Sequence, residues 1–200
     1  MKSSFRRPIL AGILLALAVI LALPAVSPAA SDGFPVTVVD DTGYRLEVRK
    51  APARIVSLAP SNTEILFSLG LGDRLVGVTS ACDYPEAAAK IDKVGDYSIN
   101  VEAVVAKKPD LVVAQSELQM PVVEKLRELG IPVLAVEPKT LEEVFESMEM
   151  IGVVSGEAER ARKVVASLKA RVASVGKAVA GLPKSKMPVV FVEIWNDPLM

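Results

Sequence analysis

Two tyrosines and one polar helix start are the residues of this chain best suited to binding a ligand. Tyr84 and Tyr97 lie in predicted loops, and a tyrosine ring offers a flat apolar surface together with a polar hydroxyl. The sequence Ser61-Asn62-Thr63 begins a predicted helix, whose first backbone N–H groups suit a carboxylate, phosphate or carbonyl oxygen. Each tyrosine also has a simpler interpretation: Tyr84 would pack on Pro85, and Tyr97 would be a solvated loop tip.

The composition argues against most catalytic and metal-binding chemistry. The 200 residues include no histidine and a single cysteine, Cys82, which excludes Ser/His/Asp and Cys/His catalysis, zinc ribbons and internal disulfides within them. The net charge of −1 leaves no basic excess for a nucleic acid. The sequence contains neither a GxxxxGK[ST] phosphate loop nor the GxSxG elbow of an α/β hydrolase. We therefore expect a binding protein rather than an enzyme, without a cofactor or metal of its own.

The elements that must position the binding residues alternate between strands and helices. A hairpin is predicted over 36–48, with a polar turn ending at Gly43. Short apolar strands follow at 54–58, 74–78, 110–114 and 131–136. The intervening helices have recognisable starts, namely a Ser61/Glu64 capping box, the cap Asn100, and Pro121. Continuous apolar strands separated by helices predict an α/β fold with a parallel sheet covered on both faces.

The strand ends of such a sheet locate the site. Ligands of open parallel sheets bind beyond the carboxyl ends of the strands. Those ends would bring the segments 59–62, 79–84, 115–116 and 137–138 to one edge. The polar helix start and Tyr84 belong to two of these segments, so we expect them to be neighbours.

A long helical stretch follows the sheet. Thr140 caps a predicted helix that ends at Ser155-Gly156, and a second helix runs from Glu157 to about Ala180, a span on the order of 35 Å. That length favours a rigid strut between two bodies. A further strand is predicted over 188–194, and it either pairs with the first sheet or, as we favour, begins a second, truncated lobe.

Residues 1–30 have the layout of a secretory signal peptide. Basic residues precede an apolar run over 9–23, and small residues surround a cleavage site after Ala29 or Ala30. An uncleaved membrane anchor is the alternative, because the apolar run is only slightly shorter than a membrane span. Either way, the rest of the chain would lie in the periplasm or at the cell exterior.

Five sequence blocks carry a family resemblance. They are RIVSLAPSNTEIL at 54–66, GVT at 77–79, CDYP at 82–85, KVG at 93–95 and KPDLV at 108–112. In these blocks and their spacing the chain resembles the periplasmic solute-binding proteins of ABC importers for cobalamin, heme and iron siderophores. The resemblance implies two Rossmann-like lobes joined by one long backbone helix. Residues 31–140 would form the N-terminal ligand-binding lobe, 141–183 the helical linker, and 184–200 the start of the truncated C-terminal lobe.

The resemblance also implies a ligand-binding set, in which Tyr84, Tyr97 and Trp195 join Ser61 and Asn62. Cobalamin binders of the family carry a tyrosine in an Asp-Tyr-Pro block, as at Tyr84, and an aromatic residue at the position of Tyr97. That second aromatic is often tryptophan, so heme or a siderophore remains an alternative to cobalamin. Siderophore binders of the family often use arginine, and the four segments predicted at the carboxyl ends of the strands contain none. Trp195 would otherwise pack in the core of the second lobe.

Partners follow from the same resemblance. Family members dock on a membrane permease through one exposed glutamate per lobe, and Glu102 occupies the matching position; its simpler role is to stabilise a helix dipole. The partners would then be the permease and ATPase subunits of an ABC importer and a metal-chelate ligand, with the protein itself a monomer. The remaining alternative is a signal-anchored scaffold or interaction protein without a ligand.

Overall fold

A four-stranded parallel sheet lies at the centre of the computed structural model, which describes residues 33–96 and 98–191. The sheet has the strand order β4-β3-β5-β6, and β1 and β2 form a separate antiparallel hairpin. The strands are β1 (Val36–Val39), β2 (Arg45–Val48), β3 (Ile55–Ser57), β4 (Leu75–Val78), β5 (Leu111–Gln115) and β6 (Val133–Val136). The helices are α1 (Pro60–Ser68), α2 (Glu86–Ala89), α3 (Val101–Ala106), α4 (Ser116–Glu128), α5 (Leu141–Ser155) and α6 (Ala158–Val179), with short 3₁₀ turns at Gly72–Arg74 and Lys184–Lys186.

Both faces of the sheet are buried, as the apolar strands predict. Ile55 and Leu111 contribute to a core under α1, the hairpin and α5. Val56 and Val112 point to the opposite face, into a core with α3 and α4. All four side chains are fully inaccessible to solvent, which confirms the predicted α/β fold with a covered parallel sheet.

The start of α1 differs from the predicted capping box. The helix begins at Pro60, its N-cap is Ala59, and no side chain caps it. Proline suits the first helical position because its φ angle is already helical and its missing N–H would have no partner there. Ser61 therefore lies inside the first turn, and the predicted pairing of Ser61 with Glu64 is wrong.

Helix α4 also begins earlier than predicted. It starts at Ser116, directly after β5, and contains Pro121 in its interior. Pro121 lacks the N–H that would bond to the Glu117 carbonyl, so the helix loses one hydrogen bond without being broken. Pro121 resembles a helix start in the sequence. The group that caps the true start is the carboxylate of Glu137, which lies 20 residues after Glu117.

The two long helices match their predictions closely. Thr140 and Glu143 form a capping box at the start of α5, and Gly156 ends that helix with a left-handed φ of 81°. Helix α6 has 22 residues against 15 in α5. Its first half packs on α5 through Ala161 and Val165, and every residue after Leu168 is exposed. Between the two helices lies an apolar groove of about 630 Å³, lined by Leu141, Val144, Phe145, Leu168, Arg171, Val172, Val175 and Gly176.

The strand predicted over 188–194 is not seen in its described part. Residues 188–191 have no regular secondary structure, and Val189, Val190 and Phe191 are exposed. A strand needs a hydrogen-bonded neighbour, and no strand of the described residues lies beside this segment. Residues 192–194, like the predicted signal peptide at 1–30, lie outside the described residues. None of the described helices is both long and apolar enough to cross a membrane.

A buried carboxylate fastens the hairpin to β6. The Asp40 side chain is fully buried and accepts hydrogen bonds from the backbone N–H groups of Thr42 (3.0 Å), Tyr44 (3.1 Å) and Ala135 (3.1 Å). It also pairs with Arg127, whose guanidinium lies 3.9 Å from the centre of the Tyr44 ring. The hairpin turn, the edge strand and α4 therefore meet at this carboxylate.

We expect the substitution Asp40→Ala to lower the free energy of unfolding by about 3–5 kcal/mol, because it leaves the buried Arg127 charge without its partner. Urea denaturation measures this value. The exposed Asp73→Ala should change it by less than about 0.5 kcal/mol. Equal effects of the two substitutions would contradict the assigned role of Asp40.

Candidate functional site

A buried polar cluster joins two of the four loops at the carboxyl edge of the sheet. Thr63 on α1 donates a hydrogen bond to Ser57 at the end of β3 (2.8 Å) and contacts the Cys82 sulfur (3.1 Å). Thr79, directly after β4, contacts the same sulfur at 3.1 Å. All four side chains are buried. The start of α1 and the loop after β4 are therefore held against each other, as the strand order predicts.

The loop after β4 presents Tyr84 to solvent. Tyr84 is 67% exposed, although Cys82, two residues earlier, is almost fully buried. A large aromatic side chain that is exposed on an anchored loop is well suited to contact a ligand. This exposure leaves both interpretations of Tyr84 open, because a ring that packs only on the adjacent Pro85 would also face solvent. Its ligand contact stays a prediction.

The first turn of α1 supplies backbone donors at the same edge. Thr63 makes the first backbone hydrogen bond of the helix, to Ala59 (3.0 Å), so the N–H groups of Ser61 and Asn62 precede the intrahelical ladder. Ser61 is exposed, whereas Asn62 is only 3% exposed. The Asn62 amide nitrogen has no acceptor among the described residues. Of these two predicted ligand residues, Ser61 is thus the more accessible.

The other half of the edge is built around the side chains of Gln119 and Glu137. Gln119 on α4 donates to the Leu58 carbonyl (2.6 Å) and accepts from the Gln115 N–H (3.0 Å), which links β3 to β5. Glu137, directly after β6, accepts from the Glu117 N–H (2.9 Å) at the first turn of α4. The Glu137 carboxylate therefore caps α4 from a neighbouring strand, and an anion there also favours the helix dipole.

An ion pair lies on the exposed rim beside this cap. Lys139 donates to the Glu117 carboxylate at 2.5 Å and lies 3.7 Å from Glu137. The hydrogen bond from Lys139 lowers the pKa of Glu117, and the same bond raises the pKa of Lys139. Glu117 and Lys139 are exposed, so the rim is polar here, and its single ammonium group faces two carboxylates, those of Glu117 and Glu137.

The sequence identified the four segments of this edge but missed several of its residues. Gln119 and Lys139 fall outside the predicted segments, and so does Leu118, which is 77% exposed. No signal in the sequence marks Gln119, because its partner Leu58 is 61 residues away. Tyr97 and Trp195 lie outside the described residues, so their predicted roles rest on the sequence alone. In the described part of the chain, no cluster of three or more His, Cys, Asp or Glu residues could hold a metal ion.

Glu102 lies at the same end of the molecule. It is exposed in the first turn of α3, which Asn100 caps by accepting from the Ala103 N–H (2.8 Å). Helix α3 leads into β5, and a helix between parallel strands runs antiparallel to them, so its start lies at their carboxyl ends. Glu102 is thus accessible at the carboxyl-end side of the sheet, and its docking role stays a prediction.

Comparisons with known proteins agree with this architecture. A family model described as periplasmic binding protein matches residues 55–195. An uncharacterized ABC transporter substrate-binding lipoprotein of Bacillus subtilis is 40% identical over 169 residues, which cover 82% of this chain and 54% of that relative. This chain spans about half the length of the curated relatives it matches.

Two solved structures share the fold. The periplasmic vitamin B12 binding protein of Vibrio cholerae has a TM-score of 0.66 at 31% identity, covering 74% of this chain and 58% of its own. A periplasmic heme binding protein from Pseudomonas aeruginosa has a TM-score of 0.61 at 28% identity, covering 68% and 50% of the two chains.

We expect Glu137→Ala to lower the free energy of unfolding by about 1 kcal/mol, because the first turn of α4 loses its cap. Urea denaturation with a matched substitution on the same helix, Glu124→Ala, measures the difference. Glu124 is exposed on α4 and away from its first turn, so its removal should change stability by less than about 0.5 kcal/mol. Indistinguishable midpoints would mean that Glu137 does not stabilise the edge.

Proposed function

The chain belongs to the periplasmic binding protein family, and we propose that it is the extracytoplasmic substrate-binding component of an ABC importer, which captures cobalamin and delivers it to a permease. The B. subtilis relative is named as a substrate-binding lipoprotein of an ABC transporter, and the V. cholerae neighbour as a vitamin B12 binding protein. The composition of the chain also argues against catalysis by Ser/His/Asp or Cys/His groups.

One observation carries the proposal: exposed Tyr84 and the free first turn of α1 are held at the same edge of a parallel sheet. The contact of Thr63 with Cys82 couples the two elements directly. A corrinoid is a large, flat ligand with amide side chains, so it needs an aromatic surface and polar groups side by side. Tyr84 would contact the apolar face of the ligand, and the N–H groups of Ser61 and Asn62 would bind its carbonyl or phosphate oxygens.

Tyr97 and Trp195 complete the proposed binding set from the sequence. Tyr97 falls between Gly95 and Ile99, which form a backbone bridge. That bridge lies next to the loop after β4, because the Ser80 N–H bonds to the Gly95 carbonyl (2.9 Å). The described residues on either side of Tyr97 are therefore tied to the loop that carries Tyr84.

Heme is the second candidate ligand. The P. aeruginosa neighbour is named as a heme binding protein, and its likeness in fold is close to that of the vitamin B12 binding protein. A porphyrin needs the same flat apolar surface, and tyrosine is also a heme-iron ligand in some proteins. Cobalamin is preferred here because Tyr84 stands in an Asp-Tyr-Pro block, which the cobalamin binders of the family share.

Titration of the purified chain with cyanocobalamin, hemin and a ferric catecholate, followed by quenching of its tyrosine and tryptophan fluorescence, tests the proposal. We expect saturable binding, tightest for cyanocobalamin. Tighter binding of hemin or of the ferric catecholate would replace the proposed ligand. No saturable binding of any of the three would favour a scaffold without a ligand.

Removing the exposed aromatic ring should weaken ligand binding. We expect Tyr84→Ala to reduce cyanocobalamin affinity by about 1–3 kcal/mol in binding free energy, measured by isothermal titration calorimetry, with little effect on stability. The matched control is Tyr44→Ala, since Tyr44 is also partly exposed but packs on Arg127 beside the hairpin. The control should keep wild-type affinity. Unchanged affinity in Tyr84→Ala would show that the ligand does not bind at this loop.

Glu102 should act in delivery and not in ligand binding. We expect Glu102→Ala to leave cyanocobalamin affinity unchanged and to reduce uptake of labelled cobalamin into cells that depend on this chain, because an acidic contact with the permease is lost. Glu124→Ala removes an exposed glutamate elsewhere and should leave uptake at the wild-type rate. Normal uptake by the Glu102 variant would remove its docking role.

A further inference from the structure

We propose that Lys93 is a positioning residue, which holds the Tyr84 loop in its binding conformation. The inference rests on the proposed function in one respect, namely that Tyr84 contacts the ligand. Lys93 belongs to the Lys93-Val94-Gly95 block, which no part of the proposed binding or docking scheme uses. Its side chain is instead directed at the backbone of the loop after β4.

The Lys93 ammonium group ties together two points of the chain on either side of Tyr84. Its Nζ atom donates to the Cys82 carbonyl at 3.2 Å and to the Ala88 carbonyl at 3.1 Å. The segment between these carbonyls contains Tyr84 and the start of α2. A lysine suits this position because one ammonium carries three donors and can bind several carbonyls at once.

The backbone of Lys93 is itself fixed to the sheet. It forms a parallel bridge with Val78 at the end of β4. The Val78 N–H donates to the Asp92 carbonyl (3.0 Å), and the Val94 N–H donates to the Val78 carbonyl (2.9 Å). The Val94 side chain is fully buried in the core shared with α3 and α4. The ammonium therefore reaches the loop from a rigid base.

The loop is anchored at Cys82, whose buried sulfur contacts Thr63 and Thr79, but Asp83 and Tyr84 themselves make no hydrogen bond among the described residues. Before Tyr84, Cys82 is fixed by its N–H bond to the Thr79 carbonyl (3.1 Å); after it, the Ala88 N–H bonds to the Pro85 carbonyl (2.7 Å). A ligand that contacts Tyr84 on a loosened loop must order that loop when it binds, which reduces affinity. The two hydrogen bonds from Lys93 order the loop before the ligand binds, so this loss of affinity is avoided. Lys93 thus acts on the ligand through Tyr84, without touching it.

A double-mutant cycle with cyanocobalamin tests this coupling. We expect Lys93→Met to reduce affinity about threefold to tenfold in the wild-type background, and less than about twofold in the Tyr84→Ala background, because residues that act as one unit are not additive. The matched control is Lys90→Met, since Lys90 lies on the same segment but pairs with the exposed Glu86. It should change affinity less than about twofold. An equal loss with and without Tyr84 would overturn the proposal.

Amide hydrogen exchange of the ligand-free chain provides a readout that does not depend on the ligand. In Lys93→Met, exchange should become about tenfold faster at the protected amides of 82–91 and stay unchanged in the rest of the sheet. Lys90→Met should leave the segment unchanged. Unchanged exchange in Lys93→Met, or an increase spread over the whole chain, would overturn the proposal. If Lys93→Met loosens the segment locally but the wild-type chain binds none of cyanocobalamin, hemin and the ferric catecholate, the proposed function is refuted and the loop restraint stands.

Discussion

The burial of both sheet faces is the constraint on which the rest of this structure depends. Ile55 and Val56 are adjacent in β3, point to opposite faces, and are both inaccessible to solvent. Helices and the hairpin cover the two faces, so a ligand site on this sheet would lie at the ends of its strands. Because all four strands are parallel, their carboxyl ends lie at one edge, and the loops that leave them must be neighbours. The position of the candidate site is therefore a consequence of the packing of the core.

Hydrogen bonds between distant parts of the sequence make that edge well ordered. Thr63 joins α1 to the loop after β4, Gln119 joins α4 to the segment after β3, and Glu137 joins the end of β6 to the start of α4. The contacts of Gln119 and Glu137 each satisfy a backbone group, namely the Leu58 carbonyl and the Glu117 N–H, and the Thr63 contact joins two buried side chains. The edge therefore behaves as one connected unit, and a side chain that projects from it, such as Tyr84, is presented in a defined place.

The separation of the two partners along the sequence also explains which features could be predicted. Thr140 and Asn100 were identified as caps because each bonds to a backbone group three residues away, so the whole interaction is visible in a short sequence. The start of α4 was misplaced because its cap, Glu137, is 20 residues away from Glu117. The false cap at Ser61 had the opposite cause: a favourable local pattern was overridden by Pro60, which fits the first helical position better. The apolar strands predict the parallel sheet. The roles of Gln119 and Lys93 depend on contacts with loop carbonyls, which the sequence alone does not show.

Helix α6 shows, within a single element, the same limit on what the sequence can predict. Its apolar residues at 161, 165, 168, 172, 175 and 179 repeat at alternating intervals of three and four, which places them on one face. Ala161 and Val165 are buried against neighbouring residues that include those of α5, but Val172, Val175 and Val179 are 45%, 64% and 45% exposed. The difference does not come from α6, whose pattern is uniform, but from α5, which is shorter and begins at Leu141. Periodicity therefore specifies which face of a helix is apolar, and the length of the partner helix decides how much of that face is buried.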